Sequence, residues 1–301
     1  MILAVTLSPS VDQTYVLDTL VPAADHRPRE TLRLAGGNGL NFARAAHALG
    51  ADVVAIGIVG GASGRWMVTS LEAEGLPFVP IVGRATTRTR MSLADTGAGA
   101  LTEVYEEPSP VDGGEWDVLE EVLTTTIVEQ APSWLVVSGL VPPGAPDDAV
   151  ARLLAIGAES GAHIAVDTAA EGLRQALAAG TADLVTINVT HAAALLGDDG
   201  EKDLSLLGTG LRAMSASDDT AIVVIAGQGG AWASFPGSEP VSLEPTDPGA
   251  YPHGRGDAFL AGLVSALDRG DVPQEALRVA VEASAANARI PGAGRLDLAG
   301  S

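Results

Sequence analysis

The feature that most constrains this chain is its rhythm: short apolar, β-branched runs alternate with longer Ala- and Leu-rich stretches of helical period, punctuated by Gly and Pro. Strands are expected at 2–7, 52–59, 78–82, 133–138, 163–167, 183–187 and 220–226. Helices are expected at 42–50, 64–75, 115–129, 146–159, 171–179, 202–216, 256–269 and 273–289, and a hairpin through Gly229 and Gly230 runs to Phe235. Such alternation predicts an α/β fold, a mainly parallel sheet with helices on both faces. Two stretches break the rhythm. Residues 13–34 are short, β-branched and polar, interrupted by Pro22 and Pro28, and residues 86–106 read as a hairpin around Thr96 to Gly99. Together they predict a small β-sheet, a lid, standing away from the main one. No repeat and no linker divides the 301 residues, so one domain over 1–301 is expected.

Charge narrows the partners. With 17 basic against 38 acidic residues and a net charge of -21, the chain is a poor match for nucleic acid or an anionic membrane. A phosphorylated ligand would need local donors and a metal ion to offset that field. Absence of cysteine excludes disulfide and thiolate chemistry. The opening apolar run is too short and lacks the basic flank of a signal peptide, and no run approaches a membrane span, so a cytoplasmic location is expected.

Ligands of parallel α/β sheets gather beyond the carboxyl ends of the strands, where Ser138-Gly139, Asp167-Thr168, Asn188 and Gly227 are predicted to lie. Near the end of the chain, His253-Gly254-Arg255-Gly256-Asp257 runs directly into an apolar helix. Glycines at a helix start let an anion reach free backbone N–H groups, which makes this turn a phosphate cradle. Asp257 at its mouth has two readings: an N-cap behind a glycine turn, or a base that takes a proton from a hydroxyl attacking the phosphate. Near the start, Ala35-Gly36-Gly37-Asn38-Gly39-Leu40-Asn41 resists a dinucleotide reading, because Phe42 stands where glycine or alanine is required and the segment does not follow the first strand. What remains is a glycine-lined turn that brings a ligand against backbone, with Asn41 placed to hydrogen-bond it. Asp12, just past the first strand, is either a ligand for hydroxyls or a turn former.

These two glycine segments, in this order and joined by this alternation, resemble the two signatures of the PfkB, ribokinase-like, carbohydrate kinases. Thr6 to Asp12, Thr87-Arg88-Thr89, Thr102-Glu103, Ser138 to Gly144 and Val166-Asp167-Thr168 are similar to segments of its phosphosugar branch, which includes 1-phosphofructokinase and tagatose-6-phosphate kinase. The resemblance implies a three-layer α/β/α sandwich with a β-lid, ATP and Mg²⁺ as cofactors, and a homodimer through the lid. It implies that Asp257 is the base and that Gly254, Arg255 and Gly256 form the anion hole. Asp12, Gly37, Asn38, Gly39 and Asn41 fall to the sugar, Arg88, Arg90 and Ser138 to the sugar's own phosphate, and Asn188, Gly227, Gly229 and Asn287 to the nucleotide. A guanidinium at 88 suits a phosphate, which it can grip bidentately.

Departures from the branch cluster at the same places. Asn38 stands where a lysine is usual, and the only lysine is Lys202. His191 replaces the glutamate of an Asn-x-x-Glu motif, a change unfavourable to magnesium, which prefers oxygen ligands. Ser8, Arg90 and Tyr105 replace asparagines, and Arg255 replaces a small residue. The expected activity is ATP-dependent phosphorylation of a ketohexose phosphate of fructose-1-phosphate or tagatose-6-phosphate type, with Arg90 or Arg255 restoring the charge missing at Asn38. The alternatives are a kinase for an unphosphorylated sugar or nucleoside, and a sugar- or nucleotide-binding relative without turnover.

Overall fold

The computed structural model describes residues 1–197, 203–226, 230–244 and 249–298. Lys202, Gly227 and Gly229 lie outside them. Among the described residues nine strands form the main sheet, in the order β13-β12-β11-β10-β9-β8-β1-β4-β5. At its centre β1 (Ile2–Thr6) pairs in parallel with β4 (Val53–Gly60) and β8 (Trp134–Ser138). Parallel pairing continues outward through β5 (Phe78–Gly83) on one side and β9 (His163–Asp167), β10 (Leu184–Asn188) and β11 (Ala221–Ile225) on the other. Among the described residues the pairing is antiparallel only at this sheet's far edge, between β11 and β12 (Ala231–Ser234) and between β12 and β13 (Val241–Leu243).

β1 shows why the strands lack polar alternation. Ile2 and Ala4 point into a core shared with α1 (Asn38–Ala48), α2 (Gly61–Glu74), α8 (Arg255–Asp268) and α9 (Pro273–Ala288). Leu3 and Val5 point into a second core, under α3 (Gly113–Gln130), α4 (Ala149–Ser160), α5 (Ala170–Ala179), α6 (Val189–Leu196) and α7 (Leu204–Met214). Burial on both faces makes Ile2 to Val5 apolar without alternation.

The second sheet has four strands in the order β3-β2-β6-β7. β2 (Ser10–Leu17) lies antiparallel to β3 (Glu30–Gly36) and parallel to β6 (Arg88–Asp95), and β6 is antiparallel to β7 (Ala100–Tyr105). The two interruptions of the sequence rhythm therefore form one small sheet, beginning a few residues earlier than expected.

Three local expectations require correction. Asp12 lies inside β2 and not in a turn, because Ser10 to Leu17 pairs on both edges. The segment expected as a glycine-lined turn is already helix: α1 begins at Asn38, and Gly37, at φ 101°, is its N-cap. Helix α6 was not foreseen; Asn188 Oδ1 caps it by accepting from the His191 N–H at 2.8 Å.

Candidate active site

Asp257 sits in the first turn of α8, behind Gly254, whose φ of 83° suits glycine. A Cβ there would also come within 2.7 Å of Ala293 Cα. At Gly256, by contrast, an added Cβ would meet nothing within 4 Å, so the backbone at the helix mouth opens onto free space. Asn38 and Asn41, three apart and hence on one side of α1, reach the same carboxylate. Asn38 Nδ2 donates to Asp257 Oδ1 at 3.0 Å and Asn41 Nδ2 to Oδ2 at 2.9 Å. The beginnings of α1 and α8 thus meet at one acid. Burial pushes Asp257 up to about 6, against the opposing pull of the Asn41 hydrogen bond and the charges of Arg90 and His253.

That acid opens on a cavity of about 510 Å³. The small sheet contributes Arg88, Arg90, Glu103 and Tyr105; the strand ends and the residues just after them contribute Gly139, Leu140, Asp167, Thr168, Ala169, Asn188 and Ile225; Asn38, His191 and residues 252–257 also line it. Arg88 is buried, its Nη1 donating to Glu106 O at 3.0 Å and its Nη2 to Ser8 O at 3.4 Å. Its Nε is buried without a hydrogen bond, as are Arg90 Nε and Ser138 Oγ. The Arg90 guanidinium lies over the Tyr105 ring, 4.2 Å from its centroid. Buried donors left unsatisfied are costly; of these three residues Arg88 and Arg90 line the cavity, and Ser138 stands behind it.

Other expected site residues stand behind the cavity wall. Asp12 is buried, accepts from Ser10 Oγ at 2.6 Å, and lies 3.4 Å from His253 Nε2. Burial opposes its charge, but the His253 hydrogen bond and charge hold its pKa below the usual carboxylate value. Gly39 packs α1 onto β1: a Cβ would fall 2.5 Å from Thr6 Oγ1. Gly37 is pressed against Ser8 and Pro9. Asn287 is fully buried; Nδ2 donates to His253 O and Oδ1 accepts from Gly294 N, both at 2.8 Å. It braces the turn before α8, away from the cavity lining. Arg255 is buried in that lining, with Nε 3.5 Å from Ser284 Oγ.

Sequence reasoning placed two further cavity residues near the site without giving either a role. Asp167, at the carboxyl end of β9, is pushed up to about 8 by burial and by the nearby Asp257 charge. Its signal was present, since an acid ends an otherwise apolar buried strand. His253 contacts Asp12, Glu103 and Tyr105, all distant in sequence, and no local pattern announces that.

A parallel α/β sheet whose strand ends, with a small second sheet, enclose an acid at a glycine-opened helix start defines a ribokinase-like small-molecule kinase. The model of the pfkB family of carbohydrate kinases matches residues 5–298, and the chain belongs to that family. Tagatose-6-phosphate kinase of Staphylococcus epidermidis is 28% identical over 283 residues, covering 93% of this chain and 89% of that protein. The 1-phosphofructokinase of Rhodobacter capsulatus is 29% identical over 289 residues, covering 93% and 87%. Among solved structures, phosphofructokinase-2 from Escherichia coli in complex with potassium superposes with a TM-score of 0.86 at 25% identity, covering 98% of this chain and 94% of that one. A possible 1-phosphofructokinase from Thermotoga maritima also reaches 0.86, at 21% identity, covering 99% and 94%. The protein is therefore a carbohydrate kinase, and kinases of this family use ATP, generally with a divalent metal. Among the described residues no helix is long and apolar enough to cross a membrane.

Proposed function

We propose that this protein transfers the γ-phosphoryl group of ATP to a hydroxyl of a ketohexose phosphate, with Mg²⁺. The observation that carries the reading is the Asp257 carboxylate, oriented by Asn38 and Asn41, in one cavity with Arg88 and Arg90. A base near pKa 6 is mostly ionised at neutral pH and still accepts a proton from the attacking hydroxyl. The open backbone at Gly256 faces the transferred phosphoryl group, whose charge the N-terminus of α8 favours. Arg88, Arg90 and Ser138 hold the phosphate already on the sugar, and Arg90 supplies the cation that Asn38 lacks. Asp12 holds a sugar hydroxyl. Asn188 faces the nucleotide, and Gly227 and Gly229 belong to the same expected subsite. Gly37 and Gly39 shape α1 against its neighbours, and Asn287 braces the turn.

Among the described residues no three His, Cys, Asp or Glu side chains form a metal cluster. Asp167 lines the cavity, and its carboxylate makes no hydrogen bond or ion pair among those residues. One carboxylate, with the remaining positions left to water and nucleotide phosphates, fits the way magnesium is usually held. Bound there, the metal neutralises charge on the phosphates. His191 Nδ1 is turned to Asn188 Nδ2 at 3.1 Å.

A homodimer through the small sheet is part of the proposal; Val104 and Tyr105 on its edge strand are exposed. So is a cytoplasmic location, where ATP and phosphorylated sugars meet. The deciding experiment is ADP release with Mg-ATP over hexose phosphates, free sugars and nucleosides. Turnover confined to ketohexose phosphates is expected, and turnover confined to free sugars or nucleosides overturns the assignment.

A further inference from the structure

One transverse row crosses the small sheet. Asp12 on β2 is in register with Arg90 on β6, and Arg90 with Tyr105 on β7. Glu103 lies two residues before Tyr105 and so on the same face. His253, from the turn that precedes α8, caps this row. Its Nε2 is 3.4 Å from Asp12 Oδ2 and its Nδ1 2.9 Å from Glu103 Oε1, while Tyr105 Oη lies 3.2 Å from Nδ1 and also bonds Glu103. The side chain is about 10% exposed, and Asn287 fixes its backbone carbonyl. A carboxylate accepts and does not donate, so a ring facing one at each nitrogen must donate from both and carry a positive charge.

We propose that His253, as an imidazolium, is a positioning residue that latches the edge strand of the small sheet to the turn before α8 and sets the orientation of Asp12, which stands just behind the cavity wall that His253 lines. The inference rests on the kinase reading for the meaning of acceptor, but the latch itself is a matter of contacts. The facing groups are Asp12 on β2, Arg90 on β6, Glu103 and Tyr105 on β7, and Asp257 on α8. Burial alone would lower the His253 pKa; the hydrogen bonds that it donates to Asp12 and Glu103 outweigh it and carry it to about 9. The imidazolium therefore persists at neutral pH, and the latch releases as pH rises through about 9. Because His253 joins the residue that holds the acceptor to the strand that covers it, loss of the latch weakens acceptor binding more than chemistry.

The test combines nitrogen NMR of the histidine ring in the full-length protein with kinetics of His253→Phe, Glu103→Gln and the double variant. Both ring nitrogens should be protonated at pH 7.5. His253→Phe should raise KM for the acceptor about tenfold, more than it lowers kcat, and Glu103→Gln should raise it by a smaller factor. The double variant should be no worse than His253→Phe alone. In the wild type KM should climb above about pH 9, and in His253→Phe that climb should vanish. A neutral ring at pH 7.5, or fully additive variants, overturns the latch. If the wild type turned over none of the substrate panel, the kinase reading would fail separately. The NMR result, with hydrogen exchange of residues 100–105 in wild type and Glu103→Gln, would still decide the latch: faster exchange in the variant supports it and unchanged exchange overturns it.

Discussion

Asn41 donates through Nδ2 to Asp257 Oδ2 at 2.9 Å, joining the first helix of the chain to the second from last across 216 positions. Asn41 is fully buried and its Oδ1 has no hydrogen bond, so the amide is committed in one direction: it stabilises the ionised acid. Replacing it with Ala removes a force that lowers the Asp257 pKa and leaves the Asn38 hydrogen bond at 3.0 Å and the charges of Arg90 and His253 to oppose burial. The acid limb of kcat/KM, expected near pH 6 in the wild type, should move upward in Asn41→Ala. A limb that stayed in place would mean that the bond does not tune the base.

Replacing Asp257 with Asn keeps the shape and one acceptor oxygen but cannot take a proton. Turnover should fall by about 10²- to 10⁴-fold while acceptor affinity, measured by calorimetry, changes by less than about threefold. Residual activity within tenfold of wild type would remove Asp257 from the role of base.

The scaffold was legible because both its periods are local. A fully apolar strand such as β1 announces burial on two faces, and Gly75, Gly161 and Gly180 mark helix ends through left-handed conformations at φ 70°, 76° and 64°. The start of α1 was missed because Gly37 and Gly39 look like turn residues. Gly39 is instead glycine because Thr6 Oγ1 leaves no room for a Cβ. α6 was missed because a helix of eight residues has too few turns to show its period. In the site, Asp257 and Arg88 could be read from motif resemblance. The His253 contacts could not, since they depend on a register between β2, β6 and β7 that no single segment encodes.

Close packing at Gly39 makes a stability prediction. An Ala there places its Cβ 2.5 Å from Thr6 Oγ1 and 2.9 Å from Thr6 Cα, and the second contact is backbone and cannot swing away. Gly39→Ala should destabilise the fold by about 1–3 kcal/mol, despite the better helix propensity of Ala. Urea unfolding monitored by circular dichroism would show this, and an unchanged midpoint would mean that α1 shifts freely on β1.

Arg88 and Arg90 should separate phosphorylated from free acceptors. Both line the cavity, and the Nε of each is buried without a hydrogen bond. Arg88→Met should raise KM for a ketohexose phosphate by about 10²-fold, through loss of a charge-assisted contact, and leave the far weaker use of the free sugar within about threefold. Equal losses on both acceptors would show that Arg88 only supports Ser8 and Glu106, whose carbonyls it already binds.

Asp167 gives a pH-dependent stability with a definite sign. Burial first, and the Asp257 charge second, raise it from an ordinary value of 3.8 to about 8 in the folded protein. The folded state therefore holds this proton more tightly than the unfolded one. Its favourable contribution is complete below about pH 4 and is lost as pH rises through about 8. In Asp167→Asn that loss is absent. Metal-free wild type and variant should melt at similar temperatures near pH 4, and the variant should be more stable by on the order of 5 °C at pH 8.5. Added Mg²⁺ and nucleotide should narrow the gap at pH 8.5 by stabilising the wild type more than the variant, because the metal relieves the repulsion that the substitution removes. A constant difference across the pH range would show that Asp167 already carries its charge unopposed in the folded protein.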